Sequence, residues 1–202
     1  MSPAALGVTE LESRLREARM VPVVRVPDAD TAHSLVTRLL TAGLDVIELT
    51  TTVSGWQDVV EALRAQHADL CVGVGTVVSA SMARMAVEAG AHFCVSPRLV
   101  PGARAELGRA GVPFIEGGLT PTEVLDAASR GIGKLFPAHL GGVRYLKSLL
   151  TVEPSARIMP TGGIPLGEVG DWLAAGAIAV GVGSDLTAPG DVAARLREAL
   201  EP

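Results

Sequence analysis

The chain has 202 residues, 48% of them hydrophobic, which suffices for one domain with a sizeable core, so a single domain over 1–202 is expected. The net charge is −5 and the arginines are scattered, which argues against a nucleic-acid partner. The first twenty residues hold no apolar stretch long enough for a signal peptide or membrane span, so no membrane association and a cytoplasmic location are expected. Cys71 and Cys94 lie in apolar runs without metal-ligand spacing, so neither a disulfide nor a metal site is expected.

The predicted elements alternate along the chain. An amphipathic segment over 9–19 predicts a helix that precedes the first strand and could close one end of a barrel. Short β-branched runs then predict strands over 20–26, 44–50, 70–77, 92–97, 113–117, 132–138, 157–161 and 177–183. Amphipathic segments lie between them, such as 30–41, 79–89 and 120–129, several of them preceded by Ser, Thr or Asp caps.

Eight strands with helices between them predict a closed parallel (β/α)₈ barrel of the TIM type. Ala-Gly pairs recur in "TAGLDVIEL", "EAGAHFCVS", "RAGVPFIEG" and "AAGAIAVGV", where the glycine ends a helix and a strand follows. Each repeat is about 25 residues long, short for a barrel of about 250 residues, so the loops must be lean. An open, doubly wound sheet is the alternative, but no G-x-G-x-x-G follows the first strand.

The active site of such a barrel lies at the C-terminal ends of its strands. The polar residues and glycines found there are Arg25, Glu48, Thr50, Thr76, Ser96, Glu116, Lys134, Thr161, Gly162, Gly163, Gly183 and Ser184. Lys134 in "GIGKLFPAHLGG" is an amine within an apolar strand, and burial lowers the pKa of an ammonium toward the range of a nucleophile. The alternative is a lysine whose side chain extends to the rim, where water solvates its ammonium group.

Glu48 in "DVIELTTT" is a lone carboxylate late in its strand, suited to proton transfer beside Lys134. The alternative is a purely structural ion pair with Arg25 or Lys134. "PTGGI" and "GVGSDL" place backbone N–H groups after the last two strands, where barrels often bind phosphate, although such glycines also form ordinary turns.

The motifs "VPVVRV", "VIELTTT", "GVGTV", "CVSP", "LTPTE", "KLFPA", "PTGGI" and "VGVGSDL" resemble, in order and spacing, the 2-keto-3-deoxy-6-phosphogluconate (KDPG) and 4-hydroxy-2-oxoglutarate (KHG) aldolase family. The resemblance implies a class I aldolase without a cofactor, a homotrimer that cleaves KDPG to pyruvate and glyceraldehyde 3-phosphate. By the family's motifs Lys134 forms the imine and Glu48 is the acid/base residue. Thr76 and Thr161 then lie against the pyruvate carboxylate, and Gly162, Gly163, Gly183 and Ser184 form the phosphate site.

Three positions depart from the family's pattern. Thr52 stands where many relatives carry the carboxylate-binding arginine, and Arg25 at the end of the first strand matches the version that supplies it from there. His139 replaces a common glutamate, and Glu116 replaces the usual proline before the strand-five glycine. Thr161 favours the gluconate series, because the galactonate relative typically has an apolar residue there.

Four other functions stay open from the sequence. The same lysine could serve an aldolase for the phosphogalactonate epimer or for KHG. A non-catalytic phosphosugar sensor would retain the phosphate-binding glycines without a reactive Lys134. A phosphate-binding transferase or isomerase would not need a buried lysine within "KLFPA".

Overall fold

The structure, a computed structural model, describes residues 6–188 and 192–200. Its sheet has eight parallel strands in the order β7-β6-β5-β4-β3-β2-β1-β8, and a bridge from Thr161 to Gly181 joins the two outer strands. The predicted (β/α)₈ barrel is therefore confirmed, and the open sheet is excluded. The strands are β1 (Met20–Val24), β2 (Val46–Thr50), β3 (Cys71–Gly75), β4 (Phe93–Val95), β5 (Phe114–Gly118), β6 (Gly133–Leu135), β7 (Ile158–Pro160) and β8 (Val180–Val182).

Helices precede and connect the strands: α1 (Val8–Ala18), α2 (Ala29–Thr41), α3 (Trp56–Gln66), α4 (Ala80–Glu88), α5 (Pro101–Ala110), α6 (Pro121–Ser129), α7 (Gly142–Val152), α8 (Val169–Ala174) and α9 (Val192–Leu200). Three begin as predicted, since the side chains of Asp28, Ser79 and Thr120 cap α2, α4 and α6 by accepting a backbone N–H. Short 3₁₀ turns follow β6, β7 and β8 (Ala138–Leu140, Leu166–Glu168 and Ser184–Thr187). Within the described residues, no helix is both long and apolar enough to cross a membrane.

The predicted N-terminal helix closes the bottom of the barrel. Leu11 and Leu15 of α1 are fully buried and pack in one cluster with inward side chains of the strands, among them Phe93 and Met159. A larger cluster fills the space between the strands and the outer helices. Both cysteines are buried and unbridged, one in each of these layers. The lower barrel is therefore filled by apolar side chains.

Most strands are shorter than the hydrophobic runs that predicted them. β8 begins at Val180, although residues 177–179 are also buried. An apolar run predicts which residues are buried, but not which of them form hydrogen bonds to a neighbouring strand. The glycines of the four Ala-Gly pairs, Gly43, Gly90, Gly111 and Gly176, all have positive φ, as the predicted helix ends require.

Candidate active site

Lys134 and Glu48 meet inside the upper barrel. Both side chains are almost wholly buried, at 4% and 1% exposure, and Lys134 Nζ lies 3.6 Å from Glu48 Oε2. Burial lowers the pKa of Lys134, and the positive charge of Arg25 lowers it further, against the opposing effect of Glu48. The lysine does not extend to the rim, so its amine is held in a place that favours the neutral, nucleophilic form.

Glu48 and Thr161 each carry a polar atom that has no hydrogen-bond partner within the described residues. These atoms are Glu48 Oε2 and the hydroxyl oxygen of Thr161, both fully buried. Thr161 follows β7 and joins β8 at the bridge to Gly181, where an added Cβ would overlap its side chain. Glu48 Oε2 has only the Lys134 amine at 3.6 Å beside it, so both oxygens have hydrogen-bonding capacity left for a polar ligand.

Two glycines lie on the inner face of β3, the strand next to that of Glu48. A Cβ at Gly75 would overlap the carboxylate of Glu48, and one at Gly73 would overlap the ring of Phe93. Neither glycine was among the predicted site residues. Their spacing of two in "GVG" on a strand was the signal, because residues two apart face the same side of a sheet.

A second group of polar side chains surrounds Arg25, at the ends of β1, β2 and β3. Its guanidinium donates from Nη2 to Thr76 Oγ1 at 3.2 Å and from Nη1 to Thr52 Oγ1 at 3.5 Å. Thr76 has a φ of +64°, an uncommon backbone conformation for a β-branched residue. Thr52, which stands where many relatives carry an arginine, thus lies beside Arg25. A side chain from either position lies at the same end of the barrel.

The predicted phosphate residues lie together across the ends of β7 and β8. Gly163 and Ser184 line a groove of about 200 Å³, and Gly162 and Gly163 have φ values of +98° and +71°. Gly183 lies directly before the Ser184–Thr187 turn. Asp185 also lines the groove, where its carboxylate accepts the Leu166 N–H at 2.9 Å.

His139 contacts this loop from the other side. Its backbone N–H donates to the Gly162 carbonyl oxygen at 3.1 Å, and its ring Nδ1 lies 3.2 Å from the same oxygen. A Cβ at Gly163 would fall against the imidazole. His139 therefore packs on the loop of Gly162 and Gly163, which is part of the predicted phosphate site.

Glu116 was expected at the mouth, and this prediction was wrong. Its carboxylate faces the outer helices, where it forms ion pairs with Arg104 and Arg130 and accepts the Val100 N–H at 2.7 Å. The register explains the error: Lys134 pairs with Gly117, so the residue before Gly117 faces the opposite side of the sheet. Glu116 therefore lies outside the group of side chains around Lys134.

Comparison with known proteins identifies the family. The model of the KDPG and KHG aldolase family matches residues 11–195. The chain belongs to this family. It is 35% identical over 163 residues to the 2-dehydro-3-deoxy-phosphogluconate aldolase of Treponema pallidum (strain Nichols), covering 79% of this chain and 78% of the relative. The predicted family and enzyme class are confirmed, and this chain is an aldolase.

Solved aldolases share the fold closely. The KDPG aldolase of Zymomonas mobilis ZM4 with 3-phosphoglycerate superposes with a TM-score of 0.81 at 28% identity, covering 96% of this chain and 94% of that one. The KDPG aldolase of Legionella pneumophila, with pyruvate captured as a covalent carbinolamine, has a TM-score of 0.80 at 25% identity, with 94% and 93% covered. These comparisons locate the aldolase fold over nearly the whole chain.

Proposed function

We propose that this aldolase cleaves KDPG to pyruvate and glyceraldehyde 3-phosphate through an imine on Lys134. The observation that carries the proposal is the buried Lys134 amine, 3.6 Å from the buried Glu48 carboxylate. The Treponema relative is named for the same substrate, since 2-dehydro and 2-keto are two names for one group. The carbinolamine of pyruvate in the Legionella enzyme corresponds to the last covalent intermediate of this reaction, from which pyruvate is released.

The proposed reaction uses the neutral amine of Lys134. The amine attacks the C2 carbonyl of the substrate, and loss of water from the carbinolamine leaves a cationic imine. The imine accepts the electron pair of the C3–C4 bond as this bond breaks. The C4 hydroxyl loses its proton at the same time, and the fragment that contains C4 leaves as the aldehyde. The resulting enamine takes a proton at C3, and water then releases pyruvate and restores the amine.

Glu48 is the proposed carrier of these protons. Its Oε2 faces Lys134 and has no hydrogen-bond partner within the described residues, so it is free to bond to a substrate hydroxyl or to water. A positioned general acid/base typically contributes about 10²- to 10⁴-fold to a rate. Glu48→Gln, which keeps the size of the side chain, should therefore lower turnover by that factor without unfolding the protein.

The two ends of the substrate would bind at the two groups of polar residues. We assign the carboxylate to Arg25, Thr76 and Thr161, because Arg25 supplies a charge and the Thr161 hydroxyl is unpartnered. We assign the phosphate to Gly162, Gly163, Gly183 and Ser184, whose groove is flanked by turn N–H groups. A preference for the phosphorylated substrate follows, because a bare hydroxyl offers these donors no comparable charge.

Rates of cleavage distinguish the proposed reaction from the reactions of related aldolases. Cleavage should be measured on KDPG, on its galactonate epimer and on KHG, with Lys134→Ala as the inactive variant and Lys147→Ala as the control. We expect KDPG to have the highest kcat/KM and Lys134→Ala to cleave nothing. Equal efficiency on KHG, which lacks the phosphate, would overturn the phosphate assignment, and full activity of Lys134→Ala would overturn the imine.

Two further parts of the proposal concern the protein in the cell. We propose a homotrimer, as the resemblance to the family implies, and a cytoplasmic location. Light scattering of the purified chain would test the trimer, since a monomer mass would contradict it. Fractionation of the source cells would test the location.

A further inference from the structure

The guanidinium of Arg25 is held by hydroxyl groups rather than by a carboxylate. Its Nη2 donates to Thr76 and its Nη1 to Thr52, and no carboxylate of the described residues forms an ion pair with it, because Glu48 pairs with Lys134 instead. The positive charge of Arg25 is therefore left uncompensated at the mouth. The orientation of the guanidinium depends on the threonines that contact it.

The hydrogen bond that the Thr50 hydroxyl donates decides which of Thr50 and Thr52 is the donor in the contact between them. Thr50 is fully buried, and its hydroxyl donates to the Val24 carbonyl oxygen at 3.2 Å. A hydroxyl has one proton, so in the 2.8 Å contact between Thr50 and Thr52 the donor must be Thr52. The proton of Thr52 then faces away from Arg25, and its lone pairs face the guanidinium.

The chain of donors therefore runs from Arg25 Nη1 to Thr52, then to Thr50, and ends on the carbonyl of Val24, the residue before Arg25. Because its last acceptor is fixed in the β1 backbone, the relay can orient the guanidinium without neutralising it. The other side of the guanidinium is held at Thr76, whose own carbonyl accepts the Thr51 hydroxyl at 3.1 Å.

We infer that Thr50 and Thr52 are positioning residues, which hold Arg25 ready for the carboxylate of a 2-keto acid. The inference rests on the proposed function, because it needs that carboxylate to bind at Arg25. An arginine side chain that is already ordered loses less conformational freedom when the ligand binds, so the relay should increase affinity. Since the carboxylate is bound in both ground and transition states, the effect should fall on KM rather than on kcat.

The test compares Thr52→Val, which removes the hydroxyl at constant shape, with Thr52→Ser, which retains it. Pyruvate affinity would be measured by calorimetry, and the adduct on Lys134 by borohydride trapping. Thr52→Val should bind pyruvate roughly 2- to 10-fold more weakly, the loss expected for one hydrogen bond, with kcat unchanged. Thr52→Ser should restore the affinity, and Thr151→Val, on the exposed face of α7, is the matched control.

A double-mutant cycle with Arg25→Ala shows whether Thr52 acts through Arg25. Arg25→Ala alone should weaken pyruvate binding by roughly 10- to 150-fold, and adding Thr52→Val should then cost nothing more. The inference would be overturned if Thr52→Val weakened pyruvate binding equally with and without Arg25. It would also be overturned if Thr52→Val alone left pyruvate affinity unchanged while the wild type forms the adduct on Lys134. A wild type that forms no adduct on Lys134 would overturn the proposed function, and the inference with it.

Discussion

Replacing Gly75 with alanine adds one methyl group against the carboxylate of Glu48. An ideal Cβ at this position overlaps Glu48 Oε1 and lies 2.6 Å from its Cδ and 2.7 Å from its Cγ. Non-bonded carbon atoms prefer about 3.5 to 4.0 Å, so the side chain must move by roughly 1 Å. Glu48 is 1% exposed on β2, which pairs with β1 on one side and β3 on the other, so its carboxylate can move only within the barrel interior.

The displacement should damage catalysis more than folding. A misplacement of about 1 Å can cost about 10²-fold in rate, and overpacking a core costs about 1 to 3 kcal/mol. Turnover of Gly75→Ala is therefore expected to fall about 10²-fold in steady-state cleavage of KDPG. The protein should still fold, with a lowered midpoint in thermal melts.

Gly170 supplies the matched control. It lies in α8 with no heavy atom within 4 Å of an added Cβ, so Gly170→Ala should keep wild-type turnover. In a Glu48→Ala background the methyl group at residue 75 has free space, and its cost in stability should disappear. Wild-type turnover and stability of Gly75→Ala would refute the placement of Glu48 against Gly75.

Three further predictions concern charge and phosphate. The pH midpoint of the initial rate of borohydride trapping at subsaturating pyruvate reports the pKa of Lys134 in the free enzyme. It should fall in Glu48→Gln and rise in Arg25→Ala, because the carboxylate raises this pKa and the guanidinium lowers it, and shifts of the same sign would contradict the geometry. Ser184→Ala should raise KM for KDPG and leave kcat unchanged, and an unchanged KM would remove Ser184 from the phosphate site. Burial lowers the pKa of His92 to about 4, so its contribution to stability is complete above about pH 6.5 and is lost as the pH falls toward 4. Urea melts of wild type and His92→Asn should converge over this range, and parallel curves would show that His92 contributes no such dependence.

The barrel and its reactive pair could be predicted because their signals are local. Lys134 and Glu48 are charged residues in apolar strands, and each strand ends at a recognisable turn, so both fall at the mouth without any knowledge of partners. The helix caps and the glycine helix ends are equally local. Hydrophobic periodicity and these end signals fix the element order.

The parts that failed depend on register, which the sequence of one strand does not contain. Glu116 is as polar and as late in its strand as Glu48, and only the pairing of Lys134 with Gly117 shows that it faces outward. The relay through Thr50 and Thr52 likewise depends on which carbonyl of β1 lies beside β2. Contacts between strands decide these features.

The most direct test of the imine is trapping with pyruvate and borohydride, followed by mass analysis of the intact chain and of its peptides. The chain has only two lysines, Lys134 and Lys147, and Lys147 is exposed on α7, so the result is unambiguous. We expect one adduct per chain, on the peptide that contains Lys134, and none in Lys134→Ala. An adduct on Lys147, or no pyruvate-dependent adduct at all, would contradict the proposed mechanism.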